Sequence, residues 1–207
     1  ALGRPRGSLA VIGIGPAAAA WRSAEADALL AGADLVCGYG LYLDLLGPAI
    51  AHAERRAFAL GEEVARADAA LAWAAEGRSV ALVSSGDAGI FAMAAVVLER
   101  LERAPPRPEP ALTIAPGISA AQAAAARLGA PLGHDLCFLS LSDLLTPPDV
   151  IEKRLKAAAE GDFVLCLYNP VSQRRTALYE RARAILGAHR PPETPVFLCR
   201  SIGRPEE

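Results

Sequence analysis

The sequence predicts an α/β fold built on mostly parallel sheets. Short apolar runs that are typical of buried strands alternate with longer runs of helical periodicity. One apolar run, residues 80–83, leads into the loop Ser-Ser-Gly-Asp-Ala-Gly of residues 84–89 and then into an apolar helical run. A buried strand, a glycine-rich loop and a helix in succession are typical of ligand sites at the carboxyl ends of parallel strands.

The strands and helices of the first half follow from this alternation. Strands are predicted at 9–13, 35–37, 80–83 and 112–115, where short apolar runs end in glycine or other small residues. Helices are predicted at 23–31, 54–76 and 90–102, with an alanine-rich helix that ends at residue 128. In the helix at 54–76, Glu62, Glu63 and the arginines are expected on the solvent-facing side.

The second half continues the pattern after a domain boundary predicted at residue 116. The predicted organisation is a tail at 1–8, an N-terminal α/β domain at 9–116 and a C-terminal α/β domain at 117–207. Strands are expected at 136–140, 163–168 and 196–201, and helices at 149–160 and 174–186. Thr146 is the predicted cap of the helix at 149–160, whose first turn would hold prolines.

Composition limits the classes of partner. The 207 residues carry a net charge of −2 and have no dense basic patch or tail, so no nucleic-acid partner is expected. No apolar run reaches the length of a membrane span and no signal pattern is visible, so a cytoplasmic location without a membrane partner is expected. The four cysteines, which are Cys37, Cys137, Cys166 and Cys199, lie far apart in apolar runs. That spacing predicts buried free thiols and no metal site.

Five predicted strand ends finish in distinctive loops, at 13–16, 85–90, 116–120, 140–145 and 167–170. The first loop resembles half of a dinucleotide-binding fingerprint, but Ala18 stands where the third glycine would be. A nicotinamide dehydrogenase is therefore disfavoured, and a nucleotide titration would test it.

The loops together resemble one family. They occur in order with Gly-Tyr at 38–39, Ser-Ser-Gly-Asp at 84–87, Leu-Gly-Ala-Pro-Leu-Gly-His-Asp at 128–135 and Tyr-Asn-Pro at 168–170. From Leu9 onward the chain is similar to the tetrapyrrole methylases, which use S-adenosylmethionine. It is most similar to the subgroup that methylates carbon 17 of precorrin-3B with ring contraction to precorrin-4 in cobalamin biosynthesis.

The resemblance implies an architecture. The expected fold has two α/β domains, a mostly parallel N-terminal sheet, a mixed C-terminal sheet and a cofactor cleft between the domains. A homodimer is the usual assembly in the family, and fusion to another cobalamin-pathway domain is a further alternative. The family continues past Glu207, so the C-terminal end is expected to be truncated.

The resemblance also implies a binding site for S-adenosylmethionine made largely of main-chain contacts. The residues that it places there are Pro16 in the first loop, Ser85, Gly86, Asp87 and Ile90 in the second, Ser119 and Ala120 at a helix start, Tyr168 and Asn169 on the adenosine side, and Gly203 in the last loop. The alternative for Asp87 is a helix cap. Ala17 and Ala88 stand where the family has glycine and proline, and Ser23-Ala24 where it has Thr-Pro.

Ring contraction would profit from a proton donor or acceptor. The candidates are His134, Ser142 and Asp143, with turn roles as the alternative for each. Arg174 and Arg175 are the candidates for binding the substrate carboxylates, with a solvated pair as the alternative.

Two other functions stay open beside the leading one. The first is a methyltransferase of the same fold that acts on another precorrin, a cobalt-precorrin, or a diphthine or ribosomal RNA precursor. The second is a non-catalytic module that binds S-adenosylmethionine, which single-turnover methyl transfer would distinguish from an enzyme.

Overall fold

The computed structural model describes residues 6–17, 19–144, 146–170 and 177–204. Its strands are β1 (Ser8–Gly13), β2 (Leu35–Tyr39), β3 (Glu54–Phe58), β4 (Ser79–Ser84), β5 (Ala111–Ala115), β6 (Leu136–Ser140) and β7 (Val164–Tyr168). Its α-helices are α1 (Ala24–Ala31), α2 (Gly40–Leu46), α3 (Glu63–Ala75), α4 (Met93–Arg103), α5 (Ala120–Arg127), α6 (Pro148–Glu160) and α7 (Ala177–Gly187). The α/β prediction is thereby confirmed.

The described chain forms two compact units. One comprises residues up to Ala123 together with residues 200–204, and the other is Ala124–Cys199. The division follows Ala123, whereas the sequence predicts a boundary after residue 116 and does not predict the return of residues 200–204 to the first unit.

The first unit is built on a five-stranded parallel sheet. The strand order is β3-β2-β4-β1-β5, and β1 pairs with β4 on one side and with β5 on the other. Alternate residues of β1 enter two cores, because successive side chains of a strand point to opposite faces. Leu9 and Val11 pack with α3 and α4, whereas Ala10 and Ile12 pack with α1 and α2.

Burial of the central strands explains the raised pKa of the Cys37 thiol. It lies in β2, is fully buried, and belongs to the core that faces α3 and α4. Desolvation raises the pKa of the Cys37 thiol to about 12, and the Arg66 cation opposes this only in part. The prediction of a buried thiol is right for Cys37 and wrong for Cys199, which is exposed.

The second unit is centred on the parallel pair of β6 and β7. Leu136 pairs with Val164 and Ser140 with Tyr168. Leu139 of β6 packs with Ile151 and Leu155 of α6 and with α7. The antiparallel strands of the expected mixed sheet are not among the strands of the described residues.

The predicted helix at 54–76 is wrong in its first third. Residues 54–58 form β3, an edge strand with exposed residues at its centre, and α3 begins only at Glu63. The charges of β3 suggest a solvated helix face, but they belong to the open edge of the sheet, where charged side chains are common. Glu54, for example, pairs with Arg78, and the bond with that guanidinium lowers the pKa of Glu54.

Two smaller predictions also need correction. Thr146 does not cap α6, because Pro148 takes the first helical position that its ring favours and Pro147 becomes the N-cap without a side-chain bond. The strand expected at 196–201 does not form, and Val196 and Leu198 are exposed. A short β-prone segment cannot form a ladder unless a partner strand lies beside it.

The helix at 174–186 is observed as α7, although residues 174–176 lie outside the described ones. Across the part of the chain that the structure describes, no helix is both long and apolar enough to cross a membrane.

Candidate functional site

The loops that follow β1 and β4 are joined by main-chain hydrogen bonds at the carboxyl edge of the sheet. The Ile14 amide donates to Ser84 O at 2.9 Å. The Gly15 amide donates to Gly86 O at 3.0 Å, and the Gly86 amide donates back to Gly15 O at 2.8 Å. These two loops therefore form one unit in which the predicted Gly86 holds a fixed position.

Glycine is required where these loops meet the loop after β5. A Cβ atom on Gly13 would lie 2.6 Å from Gly86 O and 2.8 Å from the Gly117 amide nitrogen. A Cβ atom on Gly117 would collide with the same Gly86 carbonyl and lie 2.6 Å from Gly13 O. Gly86 itself has a φ of 71°, in the left-handed region that favours glycine. The three loops can approach one another only because these positions lack side chains.

Asp87 fastens the second loop to the third. Its Oδ1 accepts from the Gly89 amide at 2.8 Å, and its Oδ2 accepts from the Gly117 amide at 3.0 Å. It does not cap α4, because that helix begins at Met93 with Ala92 as its N-cap. The alternative of a helix cap is therefore wrong, and the carboxylate holds two loops together.

Ser119 is occupied by a capping box at the start of α5. The Ser119 amide donates to Gln122 Oε1 at 2.9 Å, and the Gln122 amide donates to Ser119 Oγ at 3.3 Å. Ser119 is buried, whereas Ala120, the first residue of α5, is exposed. Both lie beside Gly86, whose added Cβ would lie 3.7 Å from the Ala120 amide nitrogen.

The remaining cofactor candidates of the first unit surround this cluster. Pro16 is buried, and a Cβ atom on Gly203 would lie 3.7 Å from Pro16 Cγ. Ser85 Oγ lies 3.5 Å from Gly15 O, and Ile90 is half-buried. The structure thus brings Pro16, Ser85, Gly86, Asp87, Ile90, Ser119, Ala120 and Gly203 together at one edge of the first unit. We call this set the loop cluster.

The second unit has its own polar group at the carboxyl ends of β6 and β7. Asn169 follows Tyr168 with a φ of 52°, and its Nδ2 donates to Ser140 Oγ at 3.2 Å. The Ser142 amide donates to the same Ser140 oxygen at 3.3 Å. Asp143 is exposed next to it. Tyr168, Asn169, Ser142 and Asp143 therefore share one end of the small sheet.

His134 lies apart from these residues. It precedes β6, whereas Ser142 and Asp143 follow it, and a five-residue strand spans about 17 Å. The structure therefore does not bring the three catalytic candidates together, because they lie at opposite ends of one strand. Arg174 and Arg175 lie outside the described residues.

Arg66 is the residue that the sequence analysis misplaces. It is only 3% exposed, because it lies with Ala70 and Ala74 on the buried face of α3. The four-residue spacing of these positions is the signal that could have found it. Nearby, burial raises the pKa of the Tyr42 phenol, and the cations Arg204 and Arg66 oppose that shift.

One cavity of the described structure lies away from the loop cluster. Its volume is about 130 Å³, and it is lined by α1 and by the amino ends of β1 and β4. Within the described residues no group of three or more histidines, cysteines and acidic residues is placed to hold a metal ion.

The loop cluster fits a ligand that is bound by main-chain groups. A Cβ atom at Gly86 would fill the space over the start of α5, and the glycines at 13 and 117 keep the strand ends free of side chains. A ligand that lies against these loops would therefore meet main-chain atoms at the glycine positions.

Comparison with known proteins agrees with this geometry. The family model of the Tetrapyrrole (Corrin/Porphyrin) Methylases matches residues 8–207. A probable cobalt-factor III C(17)-methyltransferase of Salmonella typhimurium is 44% identical and aligns over 96% of this chain and 82% of its own length. A precorrin-3B C(17)-methyltransferase of a Sinorhizobium species is 44% identical over 97% of this chain and 79% of its own. The crystal structure of the methyltransferase CobJ superposes with a TM-score of 0.85 at 42% identity, covering 90% of this chain and 77% of that one.

Proposed function

The chain belongs to the tetrapyrrole (corrin/porphyrin) methylase family, and we propose that it transfers a methyl group from S-adenosylmethionine to carbon 17 of precorrin-3B. The proposed product is the ring-contracted precorrin-4. The observation that carries the proposal is 44% identity, over nearly the whole chain, to two relatives that are both named for methylation at carbon 17.

A second candidate substrate is the cobalt-containing counterpart. The Salmonella typhimurium relative is named for cobalt-factor III and the Sinorhizobium relative for precorrin-3B, at equal identity. The two candidates share the reacting carbon and differ in whether the macrocycle holds cobalt.

The loop cluster is the proposed binding surface for S-adenosylmethionine. When bound, this molecule supplies a methyl group already activated on a sulfonium. The chain's own contribution would be positioning: Gly86 and Pro16 would contact the ligand through the main chain, while Asp87 would hold the second and third loops in place. Positioning of this kind can supply up to about 7–11 kcal/mol of a reaction barrier at the generous limit.

We propose binding roles for residues of the second unit as well. Tyr168 and Asn169 would lie on the adenosine side of the donor, and Arg174 and Arg175 would bind substrate carboxylates. Of the three acid-base candidates, Ser142 and Asp143 share one end of β6 and are the stronger pair.

We also propose that the protein is a homodimer and that it is cytoplasmic. Gel filtration with light scattering tests the homodimer. Fractionation of cells tests the cytoplasmic location.

Labelled methyl transfer tests the proposed reaction. The protein is mixed with methyl-labelled S-adenosylmethionine and either precorrin-3B or cobalt-factor III, and NMR identifies the carbon that gains the label. Label at carbon 17 of one substrate supports the proposal and selects the substrate. Binding of S-adenosylhomocysteine without any transfer would support the non-catalytic module instead.

A further inference from the structure

Arg66 is a buried cation without a carboxylate partner among the described residues. Its Nη2 donates to Ala59 O at 2.9 Å, and its Nη1 lies 3.7 Å from Met93 Sδ. Its Nε is buried and has no hydrogen-bond partner in the described structure. A buried charge is normally offset by an opposite charge and by full hydrogen bonding, so this guanidinium has capacity left for an anion.

The surroundings of Arg66 add positive potential. Arg66 lies in the first turn of α3, where the helix dipole disfavours a cation. The nearby carboxylates are engaged elsewhere, since Glu62 accepts from the Ala59 amide at 2.7 Å and Glu63 accepts from the Gly61 amide at 3.1 Å. Neither one forms a described ion pair with Arg66.

A second helix terminus lies against the same guanidinium. Met93 is the first residue of α4, and the N-cap of that helix, Ala92, provides no side-chain bond. One of the early amides of α4 is already used, because Ala94 donates to Ala88 O at 2.9 Å. The Met93 thioether is a weak acceptor that a carboxylate oxygen would readily replace.

The location of Arg66 connects it with the loop cluster. Ala59 directly follows β3, and Met93 follows the loop at the end of β4, so both lie at the carboxyl edge of the first sheet. Phe58, the last residue of β3, supports the guanidinium from below, with its ring centre 5.9 Å from Arg66 Cζ.

We propose that Arg66 and the N-terminus of α4 form a carboxylate-binding site for one reactant, an inference that rests on the proposed function. Two reactants carry carboxylates. They are the tetrapyrrole, through its acidic side chains, and S-adenosylmethionine, through its amino-acid part. The fork of the guanidinium matches the two oxygens of a carboxylate, which a lysine could not match.

Binding measurements on Arg66→Met test this site and identify the ligand. Titration calorimetry is run with S-adenosylhomocysteine and with methylthioadenosine, which lacks the amino-acid carboxylate, and fluorescence quenching is run with the octacarboxylate uroporphyrin. We expect Arg66→Met to weaken either S-adenosylhomocysteine or uroporphyrin about 10- to 100-fold and to leave methylthioadenosine unchanged. The ligand that loses affinity is the source of the carboxylate.

Matched variants separate this role from a structural one. Arg100→Met removes an arginine of α4 that pairs with Asp68 on the surface, and it should leave all affinities unchanged. Arg66→Lys should restore part of the lost affinity. Equal affinities in wild type and Arg66→Met, with a lower melting temperature in the variant, would overturn the proposal. If Arg66→Met does not fold, Arg66→Gln is measured instead, and unchanged affinities there overturn the proposal equally.

The same data distinguish failure of the wider function. Wild-type protein that binds none of the reactants and transfers no methyl group contradicts the proposed function. Wild-type transfer together with normal binding by Arg66→Met contradicts only the role of Arg66.

Discussion

Asp87 shows how one side chain can hold two loops together. Each of its two carboxylate oxygens accepts a main-chain amide, one from its own loop and one from the loop after β5. We expect Asp87→Ala to lower the free energy of unfolding by about 1–3 kcal/mol, because two loop amides lose their acceptor. Urea denaturation measures this loss, and calorimetry with S-adenosylhomocysteine should show weaker binding.

Asp87→Asn is the matched control for that experiment. The amide keeps one acceptor oxygen and the size of the side chain, so about half of the loss should return. Equal stability of wild type and Asp87→Ala would show that the two bonds do not hold the loops.

A second prediction for a single residue concerns Gly117. A methyl group there meets main-chain oxygens of Gly86 and Gly13, which cannot rotate away. Gly117→Ala should therefore destabilise the protein by more than about 1–3 kcal/mol, the ordinary cost of overpacking. Gly40→Ala is the control, because its Cβ would meet nothing within 4 Å at the start of α2. Melting curves of the two variants should shift in clearly different amounts.

At the scale of elements, the capping box of α5 is a testable pair. Ser119→Ala and Gln122→Ala should each cost about 0.5–2 kcal/mol, because each leaves an amide of the first turn unsatisfied. The double variant should cost less than the sum of the two, because the bonds are reciprocal. Strict additivity in a chemical denaturation cycle would contradict this coupling.

The buried thiol of Cys37, in β2, makes the free energy of unfolding depend on pH. Its pKa is raised from 9.0 to about 12, so the folded state disfavours the thiolate. This contribution to stability is complete below pH 9 and is lost as the pH rises toward 12. The free energy of unfolding should fall less steeply between pH 9 and 12 in Cys37→Ala than in wild type. Parallel curves for the two proteins would contradict the assignment.

The sequence predicts a strand or helix correctly when the local residue pattern matches the environment that the element has in the fold. β6 was predictable to the residue, because its apolar run is bounded by polar neighbours. β3 was not, because Glu54, Arg55 and Arg56 owe their strand conformation to pairing with β2, a contact that no local pattern carries. The same limit explains why the predicted strand at 196–201 is absent. These residues have a composition typical of strands, but no partner strand lies beside them among the described strands.

At the scale of the whole molecule, the fold class predicts which loops meet, but it does not predict where the acid-base candidates lie. The loops at Gly15, Gly86 and Gly117 meet because β4, β1 and β5 are neighbours and parallel, which follows from the fold class. His134 and Asp143 are both predicted as acid-base candidates, yet the whole of β6 separates them. The burial of Arg66 against α4 could have been inferred only from its four-residue spacing with Ala70 and Ala74 in α3.

Hydrogen exchange provides a prediction for the whole molecule. If the loop cluster binds S-adenosylmethionine, S-adenosylhomocysteine should slow amide exchange together at residues 13–17, 84–89 and 116–120. Amides beside the cavity of α1, such as Gly32 and Ala33, should be unaffected. Protection near α1 without protection of the loops would place the ligand at the opposite edge of the sheet.

The close approach of Gly13, Gly86 and Gly117 has a consequence for how such a protein can diversify. A surface made of peptide groups presents the same main-chain atoms whatever the neighbouring side chains are. A methyl group added to Gly13 or Gly117 would collide with main-chain atoms of the other loops. Substitutions that alter the acceptor substrate must therefore accumulate elsewhere in the chain. If the loop cluster binds the methyl donor as proposed, the donor site would stay constant while the substrate specificity of the protein changes.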